Sequence, residues 1–480
     1  MVEPQETVER ALAAARCDDC VVIAEETSTA NLRWAGNTLT TNGVAQSRQL
    51  TVIAIDRRPD GAAVGVISRA GVRPDQVEQV VREAERAAAD GTPAEDAAEL
   101  PGPGQAGPFG IKENAEVRGW DSPPSRTEIG VLRDFAAALG QTLRGAEDAG
   151  RKLYGFAEHD TVSTFLGTSS GLRLRYDQPT GRVELNAKSA DFERSAWTGA
   201  ATRDFTDVDI AGLDAGLSER LDWAKRSVFM PAGRYETLLP PTAVSDLMVY
   251  LYWSAGAKDA ADGRTVFSKP GGGTRVGERL STQPVTLSSD PLAPGLSCAP
   301  FVIAHASGPD SSVFDNGLPL RSTAWIADGS LAALHSSRHS AALAGLPVTP
   351  AIDNLVLSVP TSGAAPTSGA GAPSLEDMIA STGRALLLTC LWYIREVDPQ
   401  VLLLTGLTRD GVYLVEDGEV VGAVNNFRFN ESPVGMLGRL LEVGGTVPTL
   451  PREWGDYFNR AAMPPLRVEG FNMSSVSQAS

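Results

Sequence analysis

Two histidines four residues apart are the first candidates for chemistry in this chain. His335 and His339, in the segment HSSRH, have the i, i+4 spacing that places two side chains on one face of a helix, where they can share a metal ion. A metal site usually needs a third and a fourth ligand, and the neighbouring sequence supplies no obvious carboxylate or thiol. The two histidines are therefore predicted to be structural, and a metal site is the alternative.

A serine in the pattern G-x-S-x-G is the second candidate. The segment GTSSG, Gly167 to Gly171, has Ser169 at its centre, and His159 and Asp160 lie close to it in the sequence. A nucleophile elbow requires a strand followed by a helix, whereas the next residues, LRLRYDQ, alternate as a strand does. Ser169 is thus predicted to lie in a hairpin turn, and an autonomous hydrolase is the alternative.

Two further patterns lack the context that their chemistry requires. Cys17 and Cys20 form CDDC between a predicted helix and a predicted strand, the reverse of the order in a redox motif. A second CxxC, which a zinc knuckle would need, is absent, so both residues are predicted to be ordinary free cysteines. The loop GGGTRVG, from Gly271 to Gly277, lacks the Lys-Ser/Thr ending and the preceding strand of a phosphate-binding loop.

The composition argues against two classes of partner. The 480 residues carry a net charge of -17 and no block of Lys or Arg, which disfavours a nucleic-acid surface. No apolar run approaches the roughly 20 residues of a membrane helix, and the acidic N-terminus does not resemble a secretory signal. The 4 cysteines do not make a disulfide framework. A cytoplasmic protein that binds neither nucleic acid nor membrane is predicted.

The elements that must position these residues predict an α+β fold. Alternating strands with flanking helices indicate an N-terminal two-layer α/β region with antiparallel sheets, followed by a larger β-rich C-terminal domain. The predicted units are an N-terminal α+β unit at 1–89, a linker at 90–109, a central helix plus antiparallel meander at 110–228, and the β-rich domain at 229–480.

Within these units, particular helices and turns are predicted. Helices are expected from about Ser125 to Leu143 and from Ala243 to about Ala261. Gly36-Asn37 and Asn42-Gly43 are predicted to separate strands, the latter pair being typical of a hairpin turn, and turns are also expected at Gly167 to Gly171 and at Pro179 to Gly181.

Several separated segments, taken in order, resemble the TldD/PmbA family over roughly residues 20 to 475. NLRWAGNTLTTNG and AAVGVIS are similar to the family's opening sheet, and FSKPGGGTRVGERLSTQPVTLSSDP is similar to the segment that follows its zinc helix. DNGLPLRSTAWIADGSLAALHSSRHSAALAGLPVTP, VYLVEDGEVVGAV and PPLRVEGFNMSS resemble its later turn, hairpin and closing strand. The resemblance implies a metallopeptidase-like domain in the second half of the chain.

The same resemblance implies that the zinc site of the family is lost. In its metallopeptidase members, a HExxxH helix and a late Cys bind zinc and supply the general base. In DLMVYLYW the two His positions fall on Met248 and Trp253, the Glu position falls on Val249, and the late Cys falls near Leu450. No His occurs between His159 and His305, and no Cys follows Cys390, so a shifted alignment cannot restore the site.

The chain is accordingly similar to the TldE (PmbA) branch, which lacks the zinc motif and pairs with a zinc-bearing TldD subunit. The resemblance implies no catalytic residue and no cofactor in this chain, with zinc expected in a TldD-like partner of a heterodimer that degrades unstructured, extended peptides. The alternative from another class is a stand-alone peptide-binding or regulatory protein of the gyrase-modulator type. A homodimer is also possible.

The apolar face of the former zinc helix has two interpretations. Met248, Tyr252 and Trp253 could simply fill the vacated metal site as core residues. They could instead line the peptide channel at the subunit interface, where Tyr and Trp are favoured anchors.

Overall fold

The computed structural model describes residues 3–104, 119–359 and 371–477; the end of the predicted linker, 105–109, lies outside them. Within these ranges, one antiparallel sheet and two mixed sheets are combined with helices, so the predicted α+β class is confirmed. In the same ranges, no helix is long and apolar enough to cross a membrane. The helices are α1 (Pro4–Ala14), α2 (Val77–Asp90), α3 (Arg133–Asp148), α4 (Ile210–Trp223), α5 (Pro241–Trp253), α6 (Ala257–Ala261), α7 (Arg338–Ala344), α8 (Leu375–Ala380) and α9 (Pro433–Leu437).

The first sheet is built from the first half of the chain. Its strands are β1 (Asp19–Ala35), β2 (Thr38–Arg58), β3 (Gly61–Ala70), β4 (Arg151–Thr168), β5 (Arg173–Ser189) and β6 (Ser195–Thr202). The strand order is β3-β2-β1-β4-β5-β6, with every neighbouring pair antiparallel. The segments 1–89 and 110–228, expected as separate units, contribute β1–β3 and β4–β6 to this one sheet.

The two faces of the first sheet have different partners because successive side chains of a strand point to opposite faces. Even-numbered residues of β1, such as Val22 and Leu32, lie in apolar clusters with α1–α4. The odd-numbered Val21 packs on the other face, in a cluster with Phe301 and Phe314 from the second half of the chain. The sheet therefore lies between a layer of helices and the C-terminal unit.

Two predicted turns are wrong, and in both cases strand pairing continues through the residues. Asn42 and Gly43 lie inside β2, where Gly43 pairs with Asn31. The hairpin instead turns at Gly36 and Asn37, both at positive φ, and the Asn37 side chain bonds to Arg151 O at 2.7 Å. The predicted turn at 179–181 likewise lies inside β5. The pairing of β5 with β6 begins only at Gly181, so Pro179 is paired with β4 alone. The missing N–H of this proline therefore leaves no bond to β6 unmade.

The second half of the chain forms two sheets around a shared core. The smaller sheet has the order β11-β10-β9-β12-β21-β20, with β9 (Thr286–Ser289), β10 (Thr323–Ala327), β11 (Ser330–Leu331), β12 (Leu355–Ser358), β20 (Val447–Thr449) and β21 (Ala461–Met463). The larger sheet has the order β14-β15-β18-β22-β8-β13-β16-β17-β7, and β19 also pairs with β22. Its strands are β7 (Ser227–Val228), β8 (Gly233–Leu239), β13 (Arg384–Leu388), β14 (Leu391–Asp398), β15 (Leu403–Thr408), β16 (Val412–Glu416), β17 (Glu419–Val424), β18 (Phe427–Glu431), β19 (Leu440–Val443) and β22 (Leu466–Val476).

Both predicted helices differ from the structure in their bounds, and the central one also ends later than predicted, at Asp148. The central helix does not begin at Ser125, because the backbone N–H groups of Ser125 and Thr127 donate to side-chain hydroxyls of the first sheet; α3 starts at Arg133. The helix predicted to continue to about residue 261 ends at Trp253. Gly256 then pairs with His335 as a short parallel bridge, which ends α5 and separates it from α6.

Candidate functional site

Helix α5 carries three of the four positions at which the family's zinc ligands and base are expected. It starts at Pro241, where proline loses no helical hydrogen bond because the first helical N–H groups have no partner within the helix. Met248 and Val249 each have 0% of their surface exposed, in a core cluster between the two C-terminal sheets. Trp253, the last residue of α5, is 40% exposed. The helix therefore presents only its end to solvent.

The fourth position is also filled by a buried apolar side chain. Leu450 follows β20 and is completely buried. Its Cδ2 atom would lie 2.9 Å from a Cβ atom added to Gly199 of β6, so it packs directly against the first sheet. Neither it nor Met248, Val249 or Trp253 can act as a zinc ligand or general base of the family type. In the described ranges, no group of three or more His, Cys, Asp or Glu side chains is arranged to hold a metal ion.

Tyr252 is a core residue with a fully used hydroxyl group. Its OH donates to Ile352 O and accepts from Ile352 N, both at 2.7 Å. Its ring meets the rings of His335 and Trp325 edge-on, with centroids 4.1 and 5.3 Å away. Met248 and Tyr252 therefore pack in the core of this chain, as the first interpretation predicted, and of the three proposed channel-lining residues only Trp253 has substantial exposed surface.

The two histidines of HSSRH are not on one helical face. His335 precedes α7. Its backbone N–H donates to Ala255 O, just after the end of α5, at 2.8 Å. Ser337 caps α7, and His339 lies inside the helix. Burial lowers the pKa of His335 to about 3, so its imidazole is neutral at physiological pH. Because only one of the two is helical, the spacing argument for a metal pair does not apply.

A buried carboxyl group, Asp246, connects α5 to the loop after Leu450. Its Oδ1 accepts from Glu453 N at 2.8 Å, and its backbone oxygen accepts from Trp454 Nε1 at 3.0 Å. Its Oδ2 is buried without a partner among the described residues. Burial raises the pKa of Asp246 well above its ordinary range, because desolvation penalises the charged form. The charge in an otherwise apolar helix was the sequence feature that could have indicated this contact.

We expect Asp246→Asn to stabilise the protein at alkaline pH. A carboxyl group with a raised folded pKa favours folding most below its unfolded pKa of about 3.9, and that contribution is lost as the pH rises toward the folded pKa. Asn keeps the acceptor for Glu453 N and cannot ionise. The variant should therefore melt above the wild type at pH 8, with a gap that shrinks toward pH 4. Asp246→Leu, which removes the acceptor, is the control and should be destabilised; an Asn variant that melts below the wild type at pH 8 would contradict the burial argument.

Four aromatic rings form a ridge at the exposed end of α5. The aromatic ridge consists of Tyr250, Trp253, Trp454 and Phe458, with Trp454 centred 5.3 Å from Trp253 and 5.6 Å from Tyr250. The edge strand β14 lies beside it, because Glu453 accepts from the backbone N–H of Tyr393, which is 53% exposed. A partly exposed Trp within an aromatic group is typical of a protein or peptide contact.

Ser169 does not form a catalytic triad. It lies in the turn after β4, as predicted, where its hydroxyl donates to Asp19 and accepts from Cys20 N at 3.0 Å. His159 lies on the same strand ten residues earlier, about 33 Å away at the rise of a strand. Its ring nitrogens contact Thr127 Oγ1 and a backbone carbonyl. Asp160 accepts from a threonine of β1 instead of from His159.

A cleft of about 510 Å³ lies between the first sheet and the C-terminal unit. Its walls include Tyr176 of β5, Phe301 and the 76% exposed Tyr457. A smaller cavity of about 300 Å³ adjoins it and shares Arg460. Arg460 joins the two units: it donates to Thr180 Oγ1 at 3.0 Å and forms an ion pair with an aspartate of the C-terminal unit. Sequence reasoning missed this cleft, because its walls come from segments nearly 300 residues apart.

The fold and a family match define a protein related to metallopeptidases. Residues 232–475 match the family model described as the PmbA/TldA metallopeptidase C-terminal domain. This match covers just over half of the chain, so the chain belongs to the TldD/PmbA family. A search of curated proteins by sequence finds no match.

Solved structures with the same fold extend over the whole chain. TldE from Thermococcus kodakarensis matches with a TM-score of 0.76 and 16% identity, covering 98% of this chain and 99% of its own. A candidate modulator of DNA gyrase from Thermotoga maritima matches with a TM-score of 0.74 and 17% identity, covering 98% of this chain and 99% of its own. Another candidate gyrase modulator, from Bacteroides thetaiotaomicron, matches with a TM-score of 0.73 and 14% identity, covering 98% of each chain. At these identities the likeness establishes the fold.

Proposed function

We propose that this chain is a TldE-like, non-catalytic subunit that completes the peptide chamber of a TldD-type zinc metallopeptidase. The observation that carries the proposal is the replacement of the whole ligand set by Met248, Val249, Trp253 and Leu450. Three of these are completely buried, and the fourth belongs to the aromatic ridge. A site that has been refilled with well-packed apolar residues, in a retained fold, fits a subunit that relies on a partner for zinc and general base.

The cleft supports a role in holding an extended peptide. Its walls combine the apolar and aromatic Tyr176, Phe301 and Tyr457 with polar groups such as Gln178 and Arg460. Aromatic walls with a few polar groups suit peptide side chains and backbone, respectively. The substrate class proposed is an unstructured peptide. Zinc is expected in the partner subunit, and the chain itself is expected to need no cofactor.

The aromatic ridge is the surface proposed to meet the TldD-like partner. Trp253 is partly exposed at the centre of an aromatic group, which is the composition of an interface anchor. β14 beside it is an edge strand, but Glu453 already accepts from the backbone N–H groups of Tyr393 and Ile394, so the proposed contact is made by the aromatic side chains. The unpaired state of Cys17, Cys20, Cys298 and Cys390 fits the proposed cytoplasmic location.

Peptidase activity is expected only when this chain is mixed with a TldD-like zinc protein from the same cell. Hydrolysis of an unstructured peptide would be measured for each protein alone and for the mixture, with zinc analysis of the separated subunits. Trp253→Ala should lower the activity of the mixture about tenfold or more by weakening an aromatic anchor of at least about 1.4 kcal/mol. Phe229→Ala is the matched control, because Phe229 is 72% exposed after β7, at the other edge of the large sheet from β14.

Three outcomes would count against the proposal. Stoichiometric zinc in the isolated chain, or peptidase activity of the chain alone, would indicate an autonomous hydrolase. Failure to bind any TldD-like protein, with no activity in the mixture, would favour a stand-alone binding or regulatory protein. A homodimer that persists in the presence of the TldD-like protein would leave no surface for the proposed pairing.

A further inference from the structure

The turn between α1 and β1 holds Cys17 in a fixed position. The backbone N–H groups of Arg16 and Cys17 both donate to Glu85 Oε1 of α2, at 2.5 and 3.2 Å. The Cys17 thiol donates to Asp19 O at 3.1 Å. This segment is therefore held against α2 by bonds that do not involve Cys20, whose side chain remains free to meet the Cys17 thiol.

The Cys17 and Cys20 thiols meet within one apolar cluster. Cys20 is 1% exposed in the cluster formed by α1, α2 and the first sheet, and the partly buried Cys17 packs against that same cluster. The two side chains, three residues apart, therefore interact within the same cluster. The other cysteines, Cys298 and Cys390, are each 1% exposed elsewhere in the fold. The CDDC segment thus combines one accessible thiol with one enclosed thiol at the same apolar cluster.

We propose that Cys17 and Cys20 form a reversible intrachain disulfide, with Cys17 as the attacking thiol and Cys20 as the resolving thiol. The hydrogen bond from Cys20 lowers the pKa of Cys17, whereas the same bond and burial raise the pKa of Cys20. At neutral pH, the thiolate is therefore favoured on the sulfur that solvent can reach. The turn precedes a strand and follows a helix, so the pair acts as a modification site of this chain and not as a thioredoxin-like oxidoreductase.

The oxidant proposed is a low-molecular-weight disulfide. The Cys17 thiolate attacks one of its sulfurs, a new S–S bond forms, the S–S bond of the reagent breaks, and one thiolate leaves. Cys20 then passes its proton to that thiolate and attacks Sγ of Cys17, which releases the second thiolate; this thiolate takes a proton from water. Overall, the protein loses two protons and two electrons, and the small disulfide is reduced to two thiols. One of the two protons comes from Cys20, and the other is the proton that Cys17 gave to water when it ionised.

The test is a redox titration of the full-length reduced chain. The protein is equilibrated in glutathione buffers of rising oxidised fraction, quenched in acid, unfolded, alkylated with a maleimide and mapped by mass spectrometry. Cys17 and Cys20 are expected to escape alkylation together, joined within one chain, while Cys298 and Cys390 stay fully alkylated. Before oxidation, Cys17 should react with iodoacetamide at pH 7 about tenfold faster than Cys298 or Cys390, because it has more thiolate and more exposure.

Single variants separate the two roles. Cys20→Ser should stop at a Cys17–glutathione mixed disulfide, Cys17→Ser should give neither adduct nor disulfide, and Cys298→Ser should behave as the wild type. The proposal is overturned if both thiols stay alkylatable in a buffer that fully oxidises dithiothreitol, or if the disulfide joins two chains. The wild-type titration decides the question even if a variant does not fold. It is independent of the proposed peptidase role, since it needs no partner.

Discussion

Lowering the pH from about 7 to about 4 is expected to destabilise this protein strongly through His335. Its imidazole is enclosed by Tyr252 and Trp325, with ring centroids 4.1 and 4.8 Å away, and its Nε2 has no partner among the described residues. Burial lowers the pKa of His335 from 6.5 to about 3. The unfolded chain therefore binds a proton at a pH where the folded chain cannot, so stability is complete above about pH 6.5 and is lost as the pH falls toward 3.

The size of this loss follows from the difference between the two pKa values. At about 1.4 kcal/mol per pH unit, the roughly 2.5 units between pH 6.5 and pH 4 correspond to about 3.5 kcal/mol of folding free energy, an upper limit because local opening can admit water. Urea unfolding between pH 4 and pH 8 measures the slope of the unfolding free energy against pH. His335→Phe, which keeps a ring but binds no proton, should lose most of this part of the slope.

Two variants make the assignment to His335 specific. His339→Gln is the matched control for the removal of a histidine, because His339 lies in α7 and is only half-buried. His335→Gln is the substitute if the Phe variant does not fold. His159 contributes in the same direction, since burial lowers its pKa as well, so a residual slope is expected in every His335 variant. An unchanged slope in both His335 variants would show that the ring is hydrated in solution.

Gly65→Ala is expected to cause a large loss of stability for the addition of a single methyl group. Gly65 lies in β3 directly beneath α2, where an added Cβ would be 2.1 Å from Ala84 O and 2.3 Å from Ala88 N. Both atoms belong to the helix backbone and cannot rotate away, so the helix itself must move. Such overpacking costs about 3 kcal/mol. Because α2 also carries Glu85, the variant should loosen the turn at Cys17.

The matched control is Gly43→Ala in the neighbouring strand. Gly43 lies in β2, where a Cβ atom added to it would have no other atom within 4 Å, so the methyl group meets open space. Its effect should stay within about 1 kcal/mol, and a small stabilisation is expected because alanine has less freedom in the unfolded chain. Urea denaturation of both variants gives the comparison. Equal stabilities would mean that α2 does not rest on β3 in solution.

The residue types at a few positions carry the proposal that this chain has no zinc site of the family type. Met248, Val249, Trp253 and Leu450 cannot perform the family's zinc chemistry in any conformation, so that proposal could be made from the sequence alone. The α+β class was readable for a similar reason: strand alternation is a local property. The hairpin expected at Asn42-Gly43 failed because pairing with β1 and the hydrogen bonds of the Asn37 side chain outweigh local turn preference.

The tertiary structure decided every feature that depends on distant segments. His335 is buried and non-helical because its backbone pairs with residues 255–257, some 80 positions earlier, and that pairing also ends α5. The cleft beside Arg460 exists only where the first sheet meets the C-terminal unit. The Cys17–Cys20 contact depends on Glu85 of α2 holding the turn in place. Spacing alone left a metal pair at His335 and His339 as an alternative and predicted ordinary free cysteines in CDDC, because burial and neighbours, which set pKa and reactivity, arise only on folding.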